Sequence, residues 1–252
     1  VPGTGAGPGG GVQSVVRAFR ILDVLAEADG ELSISELAVA VDLPQPTIHR
    51  IVATLRELGH AHQVTNRRYT LGPRLIGLGD RASRVLGVRA GDDLRAVAER
   101  FGETANMAVL DGERAVYTAQ VPGPHSMRTF TEVGRRVPLH STGVGKALLA
   151  QLPAPAARRL LGSTGLPAAT GHTVVDPDRL LEELDRIRRA GFAVDAEEQE
   201  VGVFCVAVPL AGVSSPAALS VSGPIHRFGH DRVAEAAALL RAAADGIGGT
   251  LA

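Results

Sequence analysis

Residues 33–59, SISELAVAVDLPQPTIHRIVATLRELG, carry two short runs of apolar positions at helical spacing, separated by Asp42-Leu43-Pro44. Leu37, Ala38 and Val41 make one apolar face. Ser33 followed by Glu36 is an S-x-x-E capping box, so a helix is predicted to begin there. It ends at Asp42-Leu43-Pro44, because a residue before proline avoids the α region. The second helix tolerates Pro46 in its first turn, buries Ile48, Ile51, Val52, Leu55 and Leu58, and stops at Gly59. Its other face presents Gln45, Thr47, His49 and Arg50, crowded at the N-terminal end. That arrangement suits the major groove of a duplex, although an αα-hairpin with a solvated polar face has the same pattern. Val64 and Tyr69-Thr70-Leu71 read as two short strands around the turn Thr65–Arg68. A hairpin directly after such a helix is a wing, with Arg67 and Arg68 placed for phosphate or minor-groove contact.

Upstream, residues 12–28 form an amphipathic helix with Val15, Phe19, Leu22 and Leu25 inward, and Gln13 and Ser14 near its start could touch phosphates. Residues 74–90 read as a linker helix with Leu75, Leu78, Ala82, Val85 and Leu86 on one stripe. That stripe packs either on its own chain or on a copy in a partner subunit. Beyond residue 91 the period changes. A helix over 92–101 precedes strands at 104–112 and 114–121, joined by the hairpin signal Asp111-Gly112-Glu113. A third strand is expected over 127–132, with helices at 142–151, 154–161 and 178–190. Strands follow at 192–196, 203–210 and 217–222, then a terminal helix at 230–245. Hairpin strands mixed with flanking helices define an α+β domain with a mainly antiparallel sheet.

Composition sharpens this picture. At 252 residues there is room for two domains or one large one, and with aromatics at 3% and no Trp the core must be aliphatic. One Cys excludes an intrachain disulfide and fits a reducing cytoplasm. No apolar run is long enough to span a membrane, and the Gly/Pro-rich residues 1–11 read as a disordered tail rather than a signal peptide. Net charge is only −1, but it is unevenly spread. Residues 11–43 hold two Arg against six Asp/Glu, whereas residues 44–75 hold five Arg against Glu57 alone. The local field therefore favours a polyanion at the second helix and the wing.

A second set of candidates lies in the C-terminal half. Gly143-Val144-Gly145-Lys146 lacks the Walker pattern, since His140 stands where its first glycine belongs and Ala147 follows the lysine. The stretch still offers helix-start N–H groups suited to a carboxylate, or is an ordinary helix start capped by Ser141 or Thr142. Ser220 and Ser222 share one face of a strand and bond either to a ligand or to nearby backbone. Cys205 sits in an apolar strand as a small hydrophobe would, and Asp195 could be a plain capping or surface residue. No Ser-His-Asp or Cys-His-Asn order emerges, and His140, His172, His226 and His230 show no metal spacing with Cys205. A binding pocket for a small anion, without metal or cofactor, fits better than an enzyme site.

Six segments then carry a resemblance: QSVVRAFRIL (13–22), LPQPTIHRIVATL (43–55), RRYTLGPRLIGLG (67–79), PLHSTGVGKALLA (138–150), RRAGFAVDAEEQEVGVFCVAVPL (188–210) and ALSVSGPIHR (218–227). In this order they resemble the IclR family of bacterial transcriptional regulators. The resemblance implies a winged helix-turn-helix over 12–73, a linker helix over 74–90 and a GAF-like effector domain over 91–252. It implies homodimers, commonly dimers of dimers, on pseudopalindromic operators. It also places the effector against Gly143, Val144, Asp195, Cys205, Ser220 and Ser222. Asp195 would repel an anion unless protonated or met by a donor, so the effector is expected to be a small acid with a hydroxyl, hydrated carbonyl or ureido group. The run over 125–152 is similar to regulators of allantoin and glyoxylate metabolism. Sensing of aromatic acids, as elsewhere in the family, and an enzyme acting on a small carboxylate are the alternatives.

Overall fold

The structure, a computed structural model, describes residues 12–28, 30–85, 91–124, 132–211 and 215–251, without the side chains of 83–85 and 248–251. The expected tail at 1–11, most of the expected strand at 127–132 and the end of the linker helix at 86–90 lie outside the described residues. The chain divides into two compact units, with the break after Ala82.

The first unit runs α1 (Gln13–Glu27), α2 (Ile34–Val41), α3 (Gln45–Glu57), β1 (Ala61–Gln63), β2 (Tyr69–Leu71) and the start of α4 (Arg74–Val85). The capping box is present: Ser33 Oγ accepts from the Glu36 amide at 3.3 Å, and the Ser33 amide donates to Glu36 Oε2 at 2.7 Å. Asp42 closes α2 in the left-handed region (φ 53°), and Pro46 sits in the first turn of α3. Ile21, Leu22 and Leu25 of α1 pack with Leu37, Val41, Ile48, Val52, Leu55, Ala61 and Tyr69. Three expectations change here. Val15, Phe19 and Leu58 are 52%, 62% and 53% exposed, because only the C-terminal half of α1 reaches this core and Leu58 falls at the cap of α3. The first wing strand is Ala61–Gln63 rather than Val64, pairing antiparallel with Tyr69–Leu71.

The second unit contains α5 (Gly91–Phe101), β3 (Thr104–Asp111), β4 (Arg114–Val121), β5 (Arg136–Val137), α6 (Gly143–Ala150), α7 (Ala154–Thr164), α8 (Pro177–Ala190), β6 (Ala193–Ala196), β7 (Val203–Leu210), β8 (Ala217–Pro224) and α9 (Val233–Leu251). One sheet in the order β5-β4-β3-β8-β7-β6 is antiparallel throughout. The short strand β5 carried no sequence signal, and Glu132 belongs to no strand. Helices α5 and α9 cover one face over Met107, Phe204, Val206, Leu219 and Val221. Helices α6, α7 and α8 cover the other over Ala108, Ala207 and Ala218. A sheet buried on both faces explains why β3 and β7 read as nearly continuous apolar runs. Every residue of α6 is buried, so its first turn is held against the sheet.

Because Ser33 supplies the α2 cap, Ser33→Ala is expected to cost about 1 kcal/mol, read as a lower urea midpoint for the first unit.

Candidate functional site

Two sites emerge, one in each unit. In the first, Gln45, His49 and Arg50 are exposed and Thr47 is half-buried, all in the first two turns of α3. His49 shares a polar cleft with Ser33, Ser35, Asn66 and Arg67, so the start of α2 joins the recognition helix and the wing. The two serines were missed in the sequence, where Ser33 read only as a capping residue and Ser35 carried no signal. Arg50 and Thr47 instead flank a groove that also contains Ser14 and Arg17. Asn66 and Arg67 both have positive φ (60° and 57°), which turns the wing tip sharply and leaves Arg67 exposed. Arg68 departs from expectation. Its guanidinium donates to the Glu31 carbonyl and pairs with Glu36 at 3.0 Å. It is a strut between the wing and the start of α2, and its charge is already matched.

In the second unit a cavity of about 300 Å³ opens where the first turn of α6 meets the sheet. Gly143, Asp195, Cys205 and Ser222 line it, together with Tyr117 and Thr142. Strand register explains this convergence: Asp195 faces Cys205, Cys205 faces Ser222 and Ser222 faces Thr104 on successive strands. The turn from Gln199 to Gly202 forms one wall, and Glu103 and His226 stand at another. Thr142 Oγ1 caps α6 by accepting from the Gly145 amide at 3.1 Å. The Gly143 and Val144 amides, at the first two helical positions, have no intrahelical acceptor. Gly143 is required by close approach, since a Cβ there would lie 2.8 Å from Cys205 Sγ.

Two expected residues sit differently. Val144 is fully buried in α6 and does not line the cavity. Ser220 lies one row deeper, opposite Ala207 and Asn106, and does not line the cavity. Its hydroxyl is buried beside the Cys205 sulfur. Tyr117, Thr142, Gln199 and Glu103 were missed; only the partnering of strands from opposite ends of the chain brings them here.

Burial pushes the Asp195 carboxyl up to about 7, offset in part by the Glu198 amide, which donates to Oδ1 at 2.8 Å, and by Lys146. Burial likewise pushes the Cys205 thiol up to about 12, so at neutral pH it is not a nucleophilic thiolate. The cavity therefore offers helix-start amides, hydroxyls and a carboxyl that is partly protonated at neutral pH. These groups recognise a ligand and supply no activated nucleophile.

A winged helix-turn-helix unit followed by a ligand cavity in an α/β unit defines a ligand-responsive DNA-binding regulator. The comparisons agree: the IclR helix-turn-helix domain matches residues 14–65, and the bacterial transcriptional regulator IclR C-terminal domain matches residues 85–248. The chain is 37% identical to the transcriptional repressor IclR of Escherichia coli K12, covering 93% of this chain and 88% of that protein. The Thermotoga maritima IclR structure superposes with a TM-score of 0.79 at 32% identity, covering 94% of this chain and 98% of that one. An IclR homolog from Microbacterium hydrocarbonoxydans, complexed with 4-hydroxybenzoate, gives 0.80 at 27%, covering 95% and 99%. The chain belongs to the IclR family; it is a DNA-binding transcriptional regulator with an effector-binding C-terminal domain, and not an enzyme. Among the described residues no helix is long and apolar enough to cross a membrane.

The raised Asp195 pKa sets a sign. The folded state holds this proton more tightly than the unfolded chain, so the stability it contributes is full below the usual 3.8 and is lost as pH rises through about 7. Asp195→Asn should therefore gain urea stability relative to the parent as pH rises from about 4 to about 7. A parallel pH dependence in both proteins would count against the assignment.

Proposed function

We propose that this regulator is a repressor whose operator affinity is set by a small carboxylic acid bound in the cavity beneath α6. The observation that carries this reading is the meeting of Gly143, at the start of α6, with Asp195, Cys205 and Ser222 around one cavity. The amides receive the carboxylate, because N–H groups at a helix start and the helix dipole both favour an anion. Asp195 takes a donor on the neighbouring carbon or shares a proton with the acid. A hydroxyl, hydrated carbonyl or ureido group satisfies that requirement, as in glyoxylate or an allantoin-pathway metabolite. The 4-hydroxybenzoate complex of the Microbacterium homolog favours a second reading, an aromatic hydroxy acid in the same cavity. A thermal-shift panel of both acid types decides between them. The true effector should lose its shift in Asp195→Ala, while Ser220→Ala, one row removed, should weaken it less.

On the DNA side, Gln45, Thr47, His49 and Arg50 read base edges and Arg67 contacts phosphate or the minor groove. The proposed unit is a homodimer, in pairs or as a dimer of dimers, on a pseudopalindromic operator. Its first-unit contact is the apolar groove of about 650 Å³ lined by Val15, Phe19, Ile51, Leu58, Leu75 and Leu78. Effector binding must favour one arrangement of the dimer to change operator affinity, and α4 carries that change toward the recognition helices.

The arginines separate by role. On a duplex enriched by the protein from a random pool, Arg50→Ala should cost about 1–3 kcal/mol while leaving random DNA nearly unaffected. Arg67→Ala should weaken all DNA and lower the slope of log K against log salt by about one. Arg68→Ala should lower the stability of the wing more than it changes that slope. Equal loss on selected and random duplex for Arg50→Ala would remove it as a base reader.

A further inference from the structure

The cavity has a chemical imbalance. Among the described residues Glu103, Asp195 and Glu200 line it and no lysine or arginine does, although the charge of Arg135 acts on Tyr117 and Glu200 in its wall. Glu103 is matched by Arg227, whose Nε and Nη2 donate to its two oxygens at 2.7 and 3.1 Å. Asp195 has no such partner. A pocket of this composition needs another source of positive potential before it accepts a carboxylate, and one helix start is a modest source when a buried carboxyl stands beside it.

A cation one layer down offsets part of that negative charge. Lys146, in the second turn of α6, is fully buried. Its ammonium is held by Glu183 of α8 at 2.7 Å and by Glu198, three residues beyond Asp195. The Glu198 amide in turn donates to Asp195, and Gln199 of the same turn accepts from Ser141 Oγ at 2.7 Å, just before α6. The cluster is thus one ammonium among three carboxylates, Glu183, Glu198 and Asp195, and the second oxygen of Glu198 is buried without a partner among the described residues. Burial lowers the Lys146 pKa, and the two glutamates more than offset this, so it remains charged. Its charge acts on both Asp195 and Cys205 across a medium that screens poorly.

We propose that Lys146 is a positioning and specificity-determining residue for the effector pocket: without touching the ligand, its buried charge makes the cavity accept a carboxylate in preference to a neutral molecule of the same shape, and Glu183 moderates that charge. This rests on the cavity being the effector site. A merely architectural ion pair would also be weakened by loss of either partner. The electrostatic role differs in sign: removing the lysine makes the pocket poorer for anions, and removing Glu183 makes it richer.

Cys205 provides the readout, because it is the single cysteine of the chain and lines the cavity. Iodoacetate and iodoacetamide attack the same sulfur and differ by a carboxylate against an amide. The acidity of the thiol cancels in the ratio of their rates. In the folded full-length parent, the iodoacetate-to-iodoacetamide ratio should exceed that of the same chain in urea by about tenfold. Lys146→Met should lower this ratio by about fivefold or more, and Glu183→Gln should raise it, although both lose stability. If Lys146→Met fails to fold, Glu183→Gln alone decides: a rise supports the proposal, and no change or a fall overturns it. Changes of the same sign in both variants also overturn it. A parent ratio no higher than in urea removes the anion pocket itself and the role of Lys146 with it. A normal parent ratio with unmoved variants removes only the role of Lys146.

Discussion

The first turn of α6 rests on the Cys205 sulfur, with no space for a side chain at Gly143 and none at Gly145, where a Cβ would meet the Leu139 backbone at 2.5 Å. Much of the effector unit follows from that contact. Glycine lets the helix start approach β7 closely enough for Gly143 to line the same cavity as Asp195 and Ser222. The complete burial of α6 then fixes the approach, because the helix is pressed between the sheet and α8 and cannot lift away without exposing Val144, Leu148 and Leu149.

Burial has an electrostatic consequence. Placing a helix start, a carboxyl and a thiol in one poorly solvated space raises the pKa of each acidic group and leaves the site without a nucleophile. The same burial traps Lys146 between Glu183 and Glu198. Buried ion pairs contribute little net stability once desolvation is counted, so their retention suits a role beyond holding the fold together. Here the pair joins α6, α8 and the turn that walls the cavity, the three elements whose relative placement shapes the ligand site.

The DNA-binding unit solves a different problem with the same economy. Its core of about ten aliphatic and aromatic side chains is small, and capping and strut contacts set the angles of its elements. Glu36 illustrates this: the Ser33 amide and hydroxyl, with Arg68 beside them, hold its carboxyl down to about 2. One carboxylate therefore closes the capping box of α2 and anchors the wing. That double use explains why Arg68, which in the sequence is indistinguishable from Arg67, is turned inward while Arg67 stays at the tip.

The sequence by itself determined the local features. Ser33 with Glu36 announced the start of α2, Asp42-Leu43-Pro44 its end, and Asp111-Gly112-Glu113 the hairpin between β3 and β4, because each depends on bonds made within a few residues. It also placed Gly143, Asp195, Cys205 and Ser222 among the candidates. Only tertiary structure decided which face of α1 is covered, which of two adjacent arginines is held, that Ser220 sits behind the cavity rather than in it, and that Tyr117 and Glu103 belong to its wall. Those choices depend on strand partners and helix seatings separated by tens of residues, where a side chain's role is set by what packs against it and not by its neighbours along the chain.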